Sequence, residues 1–590
     1  MLTHLMLPFS SRFALTLLLL AVAVSHEVVA QQPPAADLVL YNGRVITVDA
    51  TDRVAQAVAV REGRIVAVGT NAQVQRFAGA RTERIDLAGR AVTPGLIDAH
   101  AHFNAGGADR LFVMDLSYPG VKSVEDVSAM VARQAHTLGA GKWVEGRGWD
   151  EGKLSERRLI VARDLDAISP DNPVYLTQTM GHYGVANSVA LRLAGVTRAT
   201  PDPPNGTIDR YPDGTPTGIL KESAQGLVRR IIPPRSTAEM EAGMRDLAKA
   251  FNAEGMTALK DPGVSPAAWE SYRKVAREGA LPVRVFGLWL GGRTVEGARR
   301  IIAERAAMTR PYLSTGDDHV IAGGVKLYID GSGGARTAWL YEDWNKDYTQ
   351  RDSGNRGYPA SDPDTVRLLI RMYHDAGFHI STHSIGDRGI DWTMDSYAAA
   401  LAANPRKGLR HGIIHSNIPT DHALDVMASM QREFDVGYPE PSATFTWWLG
   451  DTYSSNFGPE RSKRLNPFAT YKRRGIRWAN GSDYGVTPFA ARYGIWSAVA
   501  RESLLGVNGD AFGRSEAVDV HTALRAVTIW AARQLFLEEK IGSIEVGKYA
   551  DLAVWDRDPY TVPTAALKDM TCELTVFNGK VVYRRSGAPG

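Results

Sequence analysis

His100 and His102 stand one residue apart at the end of the apolar run GLIDAHAHF. Alternation along a strand puts both imidazoles on one face, where their lone pairs can hold a single metal ion. Alone the pair proves little, because packed and solvated histidines are common. Its weight comes from four residues further along the chain: Lys326 in GGVKLYIDGS, His383 in FHISTHSIGD, His415 in HGIIHSN and Asp483 in IRWANGSDYG, each at or near the end of an apolar, β-rich run. A metal held by such donors makes water acidic enough to react near pH 7. Each residue also has a plainer reading in isolation. Lys326 could reach out to solvent, His383 and His415 could be hydrogen-bonded structural histidines, and Asp483 could cap a helix beginning beyond Val486.

These side chains meet only if their strands end at one place. From about residue 236 onward, strand-like runs alternate with helical patterns: MTALKDPG, LPVRVFGLWL, GGVKLYIDG, FHISTHS, LRHGIIHS, REFDVGY and GIRWANGSD. With the His100 strand these make eight, the α/β pattern of a (β/α)8 TIM barrel, whose catalytic residues sit at the C-terminal strand ends. Ser236 and Glu239 form a capping box before the first of these helices, and Gly255 follows its end. Outside the barrel, short alternating strands at residues 37–93 and 541–585 match in character, with Asn42-Gly43, Glu62-Gly63 and Asn578-Gly579 as hairpin turns. They predict one small β-sandwich built from both chain ends, leaving 94–540 for the barrel and 103–235 as an insert capping its mouth. In that cap, Trp149 and Tyr183, with Trp447 and Trp448 from a later loop, are expected to line an apolar pocket for a hydrophobic or aromatic substituent. His182 is expected to contact substrate, with packing within the cap as the alternative. Arg336 and Asp330, just past the lysine strand, would position substrate or anchor their loop, while His411, His374, His379, His422 and His521 read as structural or solvated.

Composition narrows the chemistry. A chain of 590 residues with 44% hydrophobic content exceeds one ordinary domain. Its 68 basic and 65 acidic residues give a net charge of +3 without a basic arm, which argues against nucleic acid as a partner and for a small-molecule substrate. Cys572 is the one cysteine, so neither a disulfide nor a cysteine cluster can form within the chain. Any metal must use His, Lys, Asp or Glu.

The motifs GRGWDEGKL, GHYGVANSVAL, DGTPTGILKE, GGVKLYIDGS, HSIGD, GSDYGV and GSIEVGKYADLAVWD appear in this order along nearly the whole chain beyond residue 37. In this the chain resembles the amidohydrolase superfamily, and within it the YtcJ-like branch that includes N-substituted formamide deformylase. The resemblance implies that His100 and His102 bind a first metal, that Lys326 is carboxylated and bridges two metals, and that His383 and His415 hold the second. It also implies that Asp483 touches the first metal and acts as the catalytic proton carrier. Zinc suits that donor set, with manganese and iron left open. Ile414 and Gly181 stand where the family usually carries acidic residues, and the Ile414 change leaves a one-metal site with an unmodified Lys326 as an alternative to two zinc ions per chain. The expected activity is hydrolysis of a carbon–nitrogen bond in an N-substituted amide or formamide. Ester, lactone or carbamate hydrolysis by the same site is the alternative, as is an exported binding module without turnover. Barrel hydrolases often pair, so a homodimer stays open.

The first thirty residues read as an export signal. Arg12 precedes the apolar run FALTLLLLAVAV, and Val28 and Ala30 are small enough to flank a signal-peptidase cut after Ala30. The run is short for a membrane span, so no stable membrane insertion is expected once it is removed, and the expected location is periplasmic or secreted. Mass spectrometry of protein from the native host is expected to find Gln31 as the first residue; an intact Met1 would overturn this reading.

Overall fold

The structure is a computed structural model that describes residues 34–309, 318–344, 354–507, 509 and 512–588. The expected export signal, residues 1–30, lies outside the described residues. Among the described residues, no helix is long and apolar enough to cross a membrane.

The centre of the molecule is a seven-stranded, all-parallel sheet. In spatial order its strands are Leu96–Asp98, Met256–Val264, Arg284–Leu290, Val320–Tyr328, His379–Ser384, Gly412–His415 and Tyr438–Glu440. Helices Pro266–Arg277, Val295–Arg305, Pro363–Asp375, Asp387–Ala403 and Asp421–Phe434 follow successive strands. Strand His379–Ser384 is buried along its whole length, as parallel strands covered on both faces must be. The stretch 479–484 joins the two edges of this sheet. On one side the Ala479 and Gly481 amides donate to Pro439 O and Pro441 O, both at 3.1 Å. On the other the Ala99 amide donates to Asn480 O at 3.0 Å, and the Asp483 amide to His100 O at 2.7 Å. The curled parallel sheet fits a TIM-like barrel. The eighth run, GIRWANGSD, thus joins the edges through these bonds without forming a regular strand.

Two other expectations are corrected. In REFDVGY, Arg432 to Phe434 finish helix Asp421–Phe434, Asp435 turns left-handed at φ +58, and the strand begins only at Tyr438. Asn42-Gly43 does not make a hairpin: the strands on either side, Leu38–Tyr41 and Arg44–Ile46, lie in different sheets, so the turn carries the chain between them. Glu62-Gly63 and Asn578-Gly579 do close two-residue hairpins, pairing Arg61 with Arg64 and Phe577 with Lys580. The capping box at Ser236 and Glu239 is present, with both reciprocal bonds.

Strands from the two chain ends share one six-stranded sheet, in which Ala91–Pro94 pairs with Leu552–Trp555. Residues from both ends, among them Leu40, Val58, Leu552 and Val576, share one core. The stretch after His102 forms another six-stranded sheet that includes Val144–Trp149, Val174–Gln178, Tyr183–Ala186 and Pro216–Glu222, with its own apolar core.

A buried ion pair ties the barrel to the terminal strands. The Arg284 guanidinium donates to both Asp551 oxygens (2.8 and 3.3 Å), to Asn578 Oδ1 (2.6 Å) and to Asp318 O (3.1 Å). Arg284 and Asp551 are each almost fully buried. Removing one member of such a pair strands the other charge in low dielectric. Asp551→Ala is therefore expected to lower stability by about 3–5 kcal/mol, read by chemical denaturation. A change below ~1 kcal/mol would show that solvent reaches Arg284.

Candidate active site

His100 and His102 follow the strand Leu96–Asp98 directly, and Asp483 ends the stretch that joins the sheet edges. His100 Nε2 lies 3.3 Å and His102 Nε2 3.2 Å from Asp483 Oδ1. These three side chains place one donor atom each within 4.8 Å of one another, a grouping that could hold a metal ion. Both His100 ring nitrogens and Asp483 Oδ1 are buried without a hydrogen-bond partner. Buried polar atoms are normally partnered, so a cluster of orphaned atoms fits donors aimed at an ion. Gly481 permits the approach, since a Cβ there would fall 2.5 Å from His100 Cβ. Asp98, beneath them, accepts from the amides of His100 (3.1 Å) and Ser482 (2.9 Å) and from Ser482 Oγ (2.5 Å). One carboxylate thereby ties the two backbone segments that carry the donors.

Lys326, His383 and His415 come from three neighbouring strands and line the same cavity as His102 and Asp483. Lys326 is 2% exposed, and burial pulls its ammonium down to about 8 against the opposing charge of Asp483. The His383 and His415 rings meet edge-on at 4.7 Å, and the His100 ring is 5.3 Å from His415. His415 Nε2 is 3.9 Å from Asp483 Oδ2, and His415 Nδ1 is buried without a partner. His383 Nε2 lies 3.0 Å from Gly331 O. Burial drives His100 and His383 well below the usual imidazole range and His415 to about 3, leaving the rings neutral. His415 and Asp483 hold left-handed backbones, φ +70 and +54, which non-glycine residues adopt mainly where surrounding structure forces them. Asp483 caps no helix of the barrel, the next one running Ala491–Ala500 with Ala490 at its N-cap.

The comparisons with known proteins agree with this geometry. The amidohydrolase family matches residues 83–583. The chain belongs to the amidohydrolase family. It is 29% identical over 538 residues to the putative amidohydrolase YtcJ of Bacillus subtilis, covering 90% of this chain and 96% of that protein. It is 29% identical over 572 residues to N-substituted formamide deformylase of Arthrobacter pascens, covering 94% and 99%. In fold it is similar to a metal-dependent hydrolase of Pyrococcus horikoshii, with a TM-score of 0.68 at 24% identity over 90% of this chain and 99% of that one. This amidohydrolase is a hydrolase of carbon–nitrogen bonds.

A cavity of about 710 Å³ opens over the site of this amidohydrolase. His182 lines it, its ring 5.3 Å from His383 and its Nδ1 3.0 Å from both Glu222 oxygens. Burial lowers the His182 imidazole, but Glu222 outweighs it and leaves the group above its ordinary value. Glu222 also accepts from Thr337 Oγ1 and has φ +49. It is thus the acidic partner that Gly181 cannot be, and sequence reasoning missed it. The only signal was an acid closing the motif DGTPTGILKE.

The expected aromatic pocket is not found. Trp149 is fully buried in the core of the inserted sheet, its indole donating to Leu176 O at 3.3 Å, and it does not line the cavity. Tyr183 packs against it and donates to Glu151. Trp447 stacks among Tyr493 and Trp496, and Trp448 faces a separate groove. Arg336 is buried off the cavity wall, with Nη1 3.4 Å from Asn456 Oδ1. Asp330 lines the cavity but anchors its loop, accepting from the amides of Ile385, Gly386 and Trp339. Large aromatics in glycine-rich motifs bury the most apolar area when they go inside, which is where these went.

Deeper in the barrel, Lys260 Nζ and Ser381 Oγ both donate to Glu440 Oε1 at 2.8 Å, with Lys260 and Glu440 fully buried. A Cβ at Gly412 would fall 1.9 Å from that oxygen. His411 pairs with His374 at 3.0 Å away from the cavity, a structural contact.

Asp98→Ala removes the acceptor of two buried amides. Each stranded N–H costs about 1–3 kcal/mol, so a clear fall in Tm is expected, with Asp98→Asn losing less. An unchanged Tm for Asp98→Ala would mean that the joint between the two segments does not need this carboxylate.

Proposed function

We propose that this amidohydrolase cleaves an N-substituted amide or formamide at a metal centre on the cavity floor. The observation that carries the reading is the convergence of His100, His102, Lys326, His383, His415 and Asp483, from well-separated segments of the chain, below one cavity. His100, His102 and Asp483 would hold the first metal, and the unpartnered nitrogens and oxygen fit it. Lys326, His383 and His415 would hold the second. When bound, such a metal makes a water molecule acidic enough to be deprotonated near pH 7 and polarises a carbonyl. Zinc suits these nitrogen and oxygen donors.

Lys326 is prepared for carboxylation. Carbon dioxide adds to an uncharged amine, forming an N–C bond and releasing one proton. An amine with pKa about 8 is about one-tenth uncharged at pH 7, against about 1 in 3,000 at 10.5. Desolvation alone thus makes this lysine a far better acceptor than an exposed one.

The chain's own groups supply the rest. Asp483 lines the cavity, and its neighbours hold it ionised despite burial, so it can take a proton from attacking water and return it to the departing nitrogen. His182, fixed through Nδ1 by Glu222, presents its other nitrogen to substrate. Apolar side chains such as Met180, Ile232 and Val486 on the wall suit a hydrophobic substituent, and the deformylase likeness supports an N-substituted amide.

Protein purified without chelator is expected to carry about two metals per chain and to hydrolyse aromatic formamides. Chelation should abolish the activity, and reconstitution should be faster with bicarbonate present. Asp483→Asn is expected to lose at least 100-fold in kcat while retaining metal. No metal together with no activity after reconstitution would overturn the reading, and one metal per chain would point to the mononuclear form with Lys326 unmodified.

A further inference from the structure

The cavity wall above the floor carries four guanidinium groups, from Arg147, Arg229, Arg235 and Arg293. Two of them are committed. Arg147 pairs with Asp109, and Arg235 with Glu145 at 2.7 Å. The remaining wall carboxylates are committed as well, Glu222 to His182 and Thr337 and Asp330 to three backbone amides. Among the described residues, Arg229 and Arg293 have no carboxylate partner. Arg229 forms no ion pair: it makes a 3.4 Å contact to Thr177 Oγ1, lies 5.7 Å over the Tyr175 ring and bonds that side chain, while its charge also reaches Glu145, which Arg235 already pairs. Arg293 follows strand Arg284–Leu290 on the cavity side. One cation without an ion pair thus comes from the insert and one from the barrel, both solvent-exposed at the rim of the same open cavity.

Resting on the hydrolase reading above, we propose that the substrate is acidic: it carries a carboxylate away from the scissile bond, and Arg229 and Arg293 receive it. Guanidinium matches carboxylate in geometry and charge, and a walled cleft concentrates the field of its charges. The apolar patch at Ile232 and Pro233 would lie along the substrate's hydrocarbon.

The test compares 4-formamidobenzoate with 4-formamidobenzamide, which differ in charge and little in shape. The wild-type protein is expected to favour the acid at least tenfold in kcat/KM, mainly through KM. In Arg293→Gln and in Arg229→Gln the acid-to-amide ratio should fall about tenfold, and Arg293→Lys should restore part of it. An equal ratio in all four proteins, or a preference for the amide, overturns the proposal while leaving the hydrolase reading intact. If neither compound turns over, calorimetric binding of the same pair to metal-loaded Asp483→Asn decides. Tighter binding of the acid that disappears with Arg293→Gln supports the proposal even though the hydrolase reading has failed, and equal binding of acid and amide overturns it.

Discussion

A carboxylate surrounded by buried imidazoles is tolerable only if the groups hold one another, and the barrel is arranged around that constraint at Asp483. Burial alone would raise its carboxyl, yet contact with His100 and His102 and the nearby His415 hold it well below the usual range. The same burial lowers His100, His383 and His415, so the imidazoles stay neutral with lone pairs free. An ionised acid among neutral imidazoles is the protonation state a metal requires of its donors.

That state depends on a buried floor, and the floor depends on joining the sheet edges. The stretch 479–484 brings Asp483 to His100 through backbone bonds on both sides rather than through a regular strand. Irregularity is useful here. A left-handed residue breaks or ends a strand: φ +54 at Asp483 does so in the joining stretch, and φ +70 at His415 ends the strand Gly412–His415. Asp98 secures the junction from below, and the Lys260–Glu440 pair fills the barrel deeper down with opposite charges in contact. The backbone strain is therefore held beside polar groups that bond one another.

What was legible in the sequence depends on how local each signal is. Strand ends marked by His100, His383 and His415 could be read because a polar residue closing an apolar run stands out, whereas Lys326 on its own reads as a lysine reaching for solvent and is drawn to the site only by the family's motif. The hairpins at Glu62-Gly63 and Asn578-Gly579 were legible for the same reason, being decided by two residues. Asn42-Gly43 has the same composition, but its flanking strands find partners in different sheets, and no local pattern encodes that choice. Glu222 and Asp98 were missed because their partners are 40 and 384 residues away. The aromatic pocket failed because Trp149 in a glycine-rich motif reads alike as a ligand platform and as core, and burying its ring decided for core.

The division between barrel and insert suggests how selectivity and chemistry separate in this chain. The floor residues all come from the parallel sheet, the turn that follows its first strand and the stretch that joins its edges, and they are nearly or fully buried apart from His102. The wall is different: His182, Glu222, Arg229 and Arg235 all belong to the stretch after His102, and its charges are partly exposed. Exposed charges contribute little to folding stability, so they can change at small cost to the fold, whereas a change on the floor would strand a buried group. Substrate preference can therefore shift through the insert while the floor stays fixed. It also explains why the floor could be read residue by residue, while the wall could be seen only once the chain was folded.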